Sequence, residues 1–275
     1  MKKLALLLLV APLALAACGG SSHAQVQADP LAYVKRSASK TAALTSEHMT
    51  MTMTGSAAGQ NISLQGSGDY MNSPTKGTMT MSMSVLGQKV QFNAVEDGTT
   101  IYMQSPMFSS QLPGGKTWMK LDLQKAGSKL GIDYSSLMSQ SPTQALQQLE
   151  AAGSVKSVGT ETIDGVETTH YQVTNLDISK MPQGAKIQAL AHPKYGPVDV
   201  WIGNKDGYVY RESLSFSYSV SGQTASMSMR VDLSKFGEKV DVTVPPASET
   251  YDVSTSIGGS VQTQTVVTVP VGGGG

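Results

Sequence analysis

The apolar residues change their period several times along the chain, and each change marks an element. Asp29-Pro30 gives a helix cap followed by a first-position proline. Leu31, Val34, Ala38, Ala42 and Leu44 then share one side of a helix, which predicts an amphipathic helix to about Leu44. From Glu47 the period is two. Met49, Met51 and Met53 alternate with Thr50, Thr52 and Thr54; Ile62, Leu64 and Tyr70 share a parity; Met79, Met81 and Met83 alternate with Thr80, Ser82 and Ser84. Such stretches read as half-buried strands, apolar on one side and hydroxylated on the other. Hairpin turns are predicted at Gly87-Gln88 and Asp97-Gly98, and Lys116 to Leu121 extends the meander after the Pro113-Gly114-Gly115 loop.

From Ser128 to Gly153 the alternation stops and helix signals take over. Ser141-Pro142-Thr143-Gln144 combines an N-cap, a first-position proline and the Gln of a capping box, Leu146 and Leu149 give an apolar stripe, and Gly153 is a stop. A helix is expected from Pro142 to about Ala152, with a shorter helical turn over Asp133 to Met138. A second β block follows. Val155 to Thr162 turns at Asp164-Gly165 into Val166 to Asn175; Val198 to Ile202 turns at Asp206-Gly207 into Tyr208 to Val220, which reverses at Ser221-Gly222 into Gln223 to Leu233. Tyr208, Tyr210, Leu214, Phe216, Tyr218 and Val220 share a parity, as do Met227, Met229, Val231 and Leu233. Each parity holds unless a bulge inverts it. Lys239 to Val244 is expected to add a last strand before Pro245-Pro246. Beyond Glu249 the Val, Thr, Gln, Ser and Gly residues read either as an edge strand over Val261 to Val269 or as a loose tail.

The start of the chain has a different pattern. Lys2 and Lys3 precede an apolar run, Leu4 to Ala17, broken only by Pro12 and too short for a permanent membrane span, the profile of a secretory signal segment. Leu15-Ala16-Ala17-Cys18 resembles the bacterial lipobox, which implies that Cys18 receives a diacylglycerol and becomes the first residue after cleavage. Cys18 is the only cysteine of 275 residues, so no internal disulfide can form. Stability must come from a packed core, for which roughly 255 remaining residues suffice. Residues 1–17 are thus read as signal peptide, 18–28 as lipidated start and flexible tether, 29–248 as one folded domain and 249–275 as tail.

Charge excludes some functions. The 20 basic and 20 acidic residues balance, and losing Lys2 and Lys3 leaves 18 against 20, so there is no basic surface for nucleic acid. Charged residues make up 15% of the chain, against roughly 25% in typical soluble domains, and uncharged Ser, Thr, Gly and Gln solvate the surface instead. His23, His48, His170 and His192 are scattered, with no G-x-S-x-G, H-E-x-x-H or P-loop pattern, so no enzyme, metal site or cofactor is expected. Asp97, Asp164 and Asp206 each precede glycine and read as turn residues.

Pro197-Val198-Asp199-Val200-Trp201-Ile202-Gly203 with Asp206-Gly207, and Phe236-Gly237-Glu238-Lys239-Val240-Asp241-Val242 with Pro245-Pro246, resemble the actinobacterial envelope lipoproteins of the LppX/LprG type. Lys116 to Lys120 and Glu161 to Val166 add to the resemblance, which follows the order of elements from Asp29 to Pro246. It implies an α+β fold: a strongly curved antiparallel sheet, a LolA-like half-barrel, with a few helices over its concave face. It also implies an apolar cavity for the acyl chains of a lipid or lipoglycan. Ile62, Leu64, Met79, Met81, Met83, Phe92, Leu146, Leu149, Val200, Ile202, Leu214, Phe216, Met227 and Met229 are expected to line that cavity. Adaptable methionines suit chains of different length, and equally fill an ordinary core. The expected protein is a monomer, lipid-anchored on the extracytoplasmic side of the cell membrane, with an envelope lipid exporter as a partner. Two other readings stay open: an anchored structural or recognition module with a filled core, and Cu(I) binding by Met49, Met51 and Met53 beside His48. Alternation puts His48 and Met49 on opposite faces, and Trp201 opposite Val198, Val200 and Ile202.

Overall fold

A computed structural model describes residues 29–57, 60–85, 88–130, 154–175, 194–220 and 223–254. The lipobox with Cys18, the predicted helix at Pro142 with Leu146 and Leu149, the turn residues Gly87 and Ser221-Gly222, and the stretch Val261 to Val269 lie outside them.

The chain begins with helix α1, Pro30–Ala42, capped by the Asp29 carboxylate, which accepts from the Ala32 amide at 3.0 Å. Five strands follow as a meander: β1 (Ser46–Ala57), β2 (Gln60–Asn72), β3 (Thr75–Val85), β4 (Gln88–Asp97) and β5 (Thr100–Gln104). The short helix α2 (Pro106–Ser109) leads to β6 (Trp118–Asp122) and helix α3 (Leu123–Leu130). The second block supplies β7 (Ser154–Ile163), β8 (Val166–Thr174), β9 (Lys194–Gly203), β10 (Val209–Val220) and β11 (Gln223–Ser234), and β12 (Thr250–Asp252) comes last.

These strands make one curved, unclosed sheet in the order β12-β6-β5-β4-β3-β2-β1-β11-β10-β9-β8-β7. Every pairing is antiparallel except β12 on β6. The two blocks are fused by β1 and β11, where Met49 faces Leu233 and Met51 faces Val231. Strand period and turns mark the hairpins, but this join is between residues far apart in sequence. It forms because both strands present an apolar parity that must be buried on the same side.

Two expectations need correction. Lys239 to Val244 is not a strand. Gly237 N–H donates to Ser46 O, which brings this segment to the start of β1, but both edges of β1 are already taken by β2 and β11. Lys239 and Asp241 are left in solvent, paired with each other at 3.3 Å. The parity of Tyr208 and Tyr210 with Leu214 is also broken, by a bulge between Val209 and Arg211 that turns Val209 to the inner side opposite Ile202. The sheet itself extends past residue 248. Thr117 N–H donates to Glu249 O and Val253 N–H to Lys120 O, and the buried Ser254 hydroxyl accepts from Asp122 N–H at 2.8 Å.

The core lies under α1. Val34 and Ala38 pack with Tyr171, Val173, Val200, Ile202 and Val209, all fully or almost fully buried. Thr41 locks the helix to the sheet: its hydroxyl donates to Ser37 O at 2.8 Å and accepts from Val209 N–H at 2.9 Å. At the C-terminal end of α1 the Lys40 ammonium lies 4.8 Å from the centre of the Tyr208 ring.

Candidate functional site: the apolar inner face

Strand register sorts the side chains into rows. One row runs Val155, Val173, Val198, Leu214, Met229, Met53, Leu64, Met83, Val90 from β7 to β4. The next runs Tyr171, Val200, Glu212, Val231, Met51, Gly66, Met81, Phe92. A third runs Leu233, Met49, Gly68, Met79, Ala94, Met103, Met119, Tyr251. Apart from Glu212 they form an apolar surface on the side that α1 covers at one end; we call it the inner face.

Of the expected lining residues within the described chain, Ile62, Leu64, Met79, Met81, Met83, Phe92, Val200, Ile202, Leu214, Phe216, Met227 and Met229 all stand on this face. They differ in cover. Val200 and Ile202 are sealed beneath α1. Met79 is buried with Met49, Val231 and Leu233 in a second cluster, against which Met51, Tyr70, Met81, Met229 and Phe236 pack. Leu64, Met83, Phe92, Leu214, Phe216 and Met229 are only half-buried, so apolar surface stays open where α1 does not reach. At the far ends of β1, β2 and β11, Ile62 and Met227 join Thr54, Ser56, Ser63 and Ser226 around a cleft of about 590 Å³.

Gly68 lets β2 and the methionine-bearing β3 close up. A Cβ on Gly68 would lie 2.0 Å from Thr78 O and 2.9 Å from the Met79 Cα, so the β2–β3 contact depends on its absence. Replacing Gly68 with alanine must push β3 outward; we expect a loss of about 1–3 kcal/mol in unfolding free energy, measured by chemical denaturation.

The opposite face is polar and tied together. His48 lies 2.6 Å from Asp69 and 3.1 Å from the Ser67 hydroxyl, pointing away from Met49, so it does not converge with the Met49, Met51 and Met53 thioethers. Trp201 stands on this outer face as its parity predicts: His170 stacks on it at 4.2 Å and the Arg211 guanidinium lies 5.8 Å from its ring centre. His170 is fixed by Asp199 at 2.8 Å and Glu161 at 3.2 Å, and Arg211 donates to Asp232.

Sequence reasoning missed the ionisable groups of the inner face. Glu47 and Glu212 share its parity, where each leaves a carboxylate oxygen buried without a hydrogen-bond partner. Burial pushes Glu47 up to about 7, and burial plus the charge of Glu47 pushes Glu212 up to about 8. Glu96, three strands from Glu47 along one row, is also raised by burial. Burial first, and then the Glu96 and Glu47 charges, hold the Tyr70 hydroxyl at about 12. The signal was present: Glu212 interrupts the apolar alternation between Tyr210 and Leu214, and Glu47 stands two residues before Met49.

The LppX_LprAFG lipoprotein family model matches residues 29–242. An uncharacterized 31.2 kDa protein from the rplA-rplJ intergenic region of Streptomyces griseus is 29% identical over 154 residues, half of this chain and 49% of its own. The chain thus spans about half the length of the curated relatives it matches. Among solved structures, lipoprotein LppX of Mycobacterium tuberculosis aligns with 78% of this chain and 97% of its own, at 21% identity and a TM-score of 0.45. LprF of Mycobacterium bovis aligns with 80% and 98%, at 16% identity and a TM-score of 0.47. With the family model covering most of its length and an open curved sheet as its framework, this chain belongs to the LppX_LprAFG lipoprotein family.

Proposed function

We propose that the protein is a lipid-binding lipoprotein of the cell envelope, anchored through a diacylglycerol on Cys18 to the extracytoplasmic side of the membrane. It takes the acyl chains of a lipid or lipoglycan onto its inner face and carries or presents them. The observation that supports this best is the half-buried field of Leu64, Met83, Phe92, Leu214, Phe216 and Met229. A contiguous apolar surface of this kind on a soluble domain calls for a cover. An acyl chain gains about 0.8 kcal/mol for each methylene it buries there. Unbranched methionines accommodate chains of varied shape. In this reading the protein is not an enzyme, acts as a monomer and exchanges its lipid with an envelope exporter.

Native mass spectrometry of the chain that begins after Cys18, purified from a lipid-rich related host, tests the reading. A stoichiometric co-purifying lipid is the expected result. An apo mass that also takes up no added lipid would favour an anchored module with a filled core.

A further inference from the structure

The buried acids of the inner face have no use in a surface that only holds hydrocarbon. Glu47 is 2% exposed, and its Oε2 has no hydrogen-bond partner; the same holds for Oε1 of Glu212. A buried carboxyl without a partner costs free energy, so it survives where something else completes it. The strand positions of the inner face among the described residues bear no lysine or arginine that could do so. Both acids stand near the end closed by Phe236, whose ring packs against Met49, Leu233 and their neighbours and lies 5.1 Å from the Tyr210 ring, two residues before Glu212. Glu47 also borders a separate cleft of about 200 Å³, with Asp69, Glu238 and Asp241 outnumbering Lys235 and Lys239 in its wall.

We infer that Glu47 and Glu212 form a polar subsite at the Phe236 end of the inner face that receives the neutral, hydroxyl-bearing headgroup of a lipid whose chains lie on the methionine rows. The inference rests on the lipid-binding reading. Burial disfavours the ionised form of both carboxyls, and a protonated carboxyl offers one O–H donor and a carbonyl acceptor, which a hydroxyl matches in both directions. A phosphate meets two acids here, and the strand positions of the face among the described residues offer it no lysine or arginine. An ammonium offers donors only, leaves the acid O–H without an acceptor and calls for a carboxylate charge that burial disfavours.

The test compares probes with one palmitoyl-length chain and different heads on the full chain: 1-palmitoylglycerol, methyl palmitate, palmitoyl lysophosphatidate and hexadecylamine. The expected result is a preference of about tenfold or more for 1-palmitoylglycerol over methyl palmitate. In a Glu47→Leu/Glu212→Leu variant that preference disappears while methyl palmitate binds as before. The Glu47→Gln/Glu212→Gln variant keeps hydrogen-bonding heads without charge, retains the preference, and guards against misreading a folding defect. Equal binding of 1-palmitoylglycerol and methyl palmitate, or tighter binding of hexadecylamine or lysophosphatidate, overturns the subsite and leaves the acyl-binding reading standing. Failure of every probe to bind overturns that reading and the subsite with it.

Discussion

Replacing Leu214 and Met229 together with glutamate is expected to weaken lipid binding by tenfold or more without unfolding the protein. The two residues face each other across β10 and β11, and Met229 in turn faces Met53 on β1, so they occupy the middle of the open apolar field. Both are half-buried, so a glutamate placed there can turn its carboxylate to water in the empty protein. In the loaded protein the same carboxylate lies against an acyl chain. Losing contact with only two methylenes removes about 1.6 kcal/mol, which is more than tenfold in affinity. The comparison that matters is with Val34→Asp. Val34 is fully buried in the core under α1, so that change should unfold the domain and abolish binding only as a consequence. Binding to a fluorescent fatty acyl probe, read beside the thermal melt of each variant, separates the two effects. Unchanged binding in the Leu214→Glu/Met229→Glu variant would remove the inner face from the account.

Stability should also fall as pH rises from about 5 to 8, the reverse of ordinary acid denaturation. Glu47 goes from 4.5 in the unfolded chain to about 7 in the folded one, and Glu212 from 4.5 to about 8, with burial as the main cause in each. Between those limits the native state holds more protons than the unfolded state, so unfolding free energy decreases with pH. The contribution is fully present below the unfolded value and lost as pH passes through the folded one. For Glu47 alone the span corresponds to something on the order of 3 kcal/mol. Part of the Glu212 residue remains exposed at the surface although one carboxylate oxygen is sealed, so its effect is smaller than its shift implies. Glu96 acts in the same direction. Urea denaturation at pH 5 and pH 8 measures the slope. Glu47→Gln, which cannot ionise, should flatten it and raise stability at pH 8; an unchanged slope would mean that Glu47 is solvated in solution.

Most of the fold could be read from the chain because its local signals agree with one another. Asp29-Pro30 starts α1 where a cap and a first-position proline must, and the alternation of β1 and β3 places Met49, Met51, Met53, Met79, Met81 and Met83 inward and Thr50, Thr52, Thr54, Thr78 and Thr80 outward. Asp164-Gly165 makes its hairpin with both residues in the left-handed region, at φ of 48° and 82°. What stayed hidden depends on partners distant in sequence. Lys239 to Val244 has the alternation of a strand, but β2 and β11 leave β1 no edge for it. Thr250–Asp252 has no distinctive pattern and becomes a strand because β6 offers it an edge. The bulge at Val209 and Arg211 reverses a parity within one strand, which no periodic count registers.

The candidate site divides along the same line. The shared side of Leu64, Met81, Leu214 and Met229 follows from strand parity alone. How much of each is covered depends on where α1 docks, so Val200 and Ile202 could not be separated from the open positions in advance. Glu47 and Glu212 were passed over because a charged residue in a strand is ordinarily assigned to the solvent face.

The central claim is that acyl chains lie on the inner face, and photocrosslinking tests it most directly. A palmitoyl probe with a diazirine on the chain, loaded into the protein and activated, should mark peptides containing Met53, Leu64, Leu214 and Met229. Labelling confined to the outer face, around Trp201 or His48, or no labelling above that of an unfolded control, would contradict it.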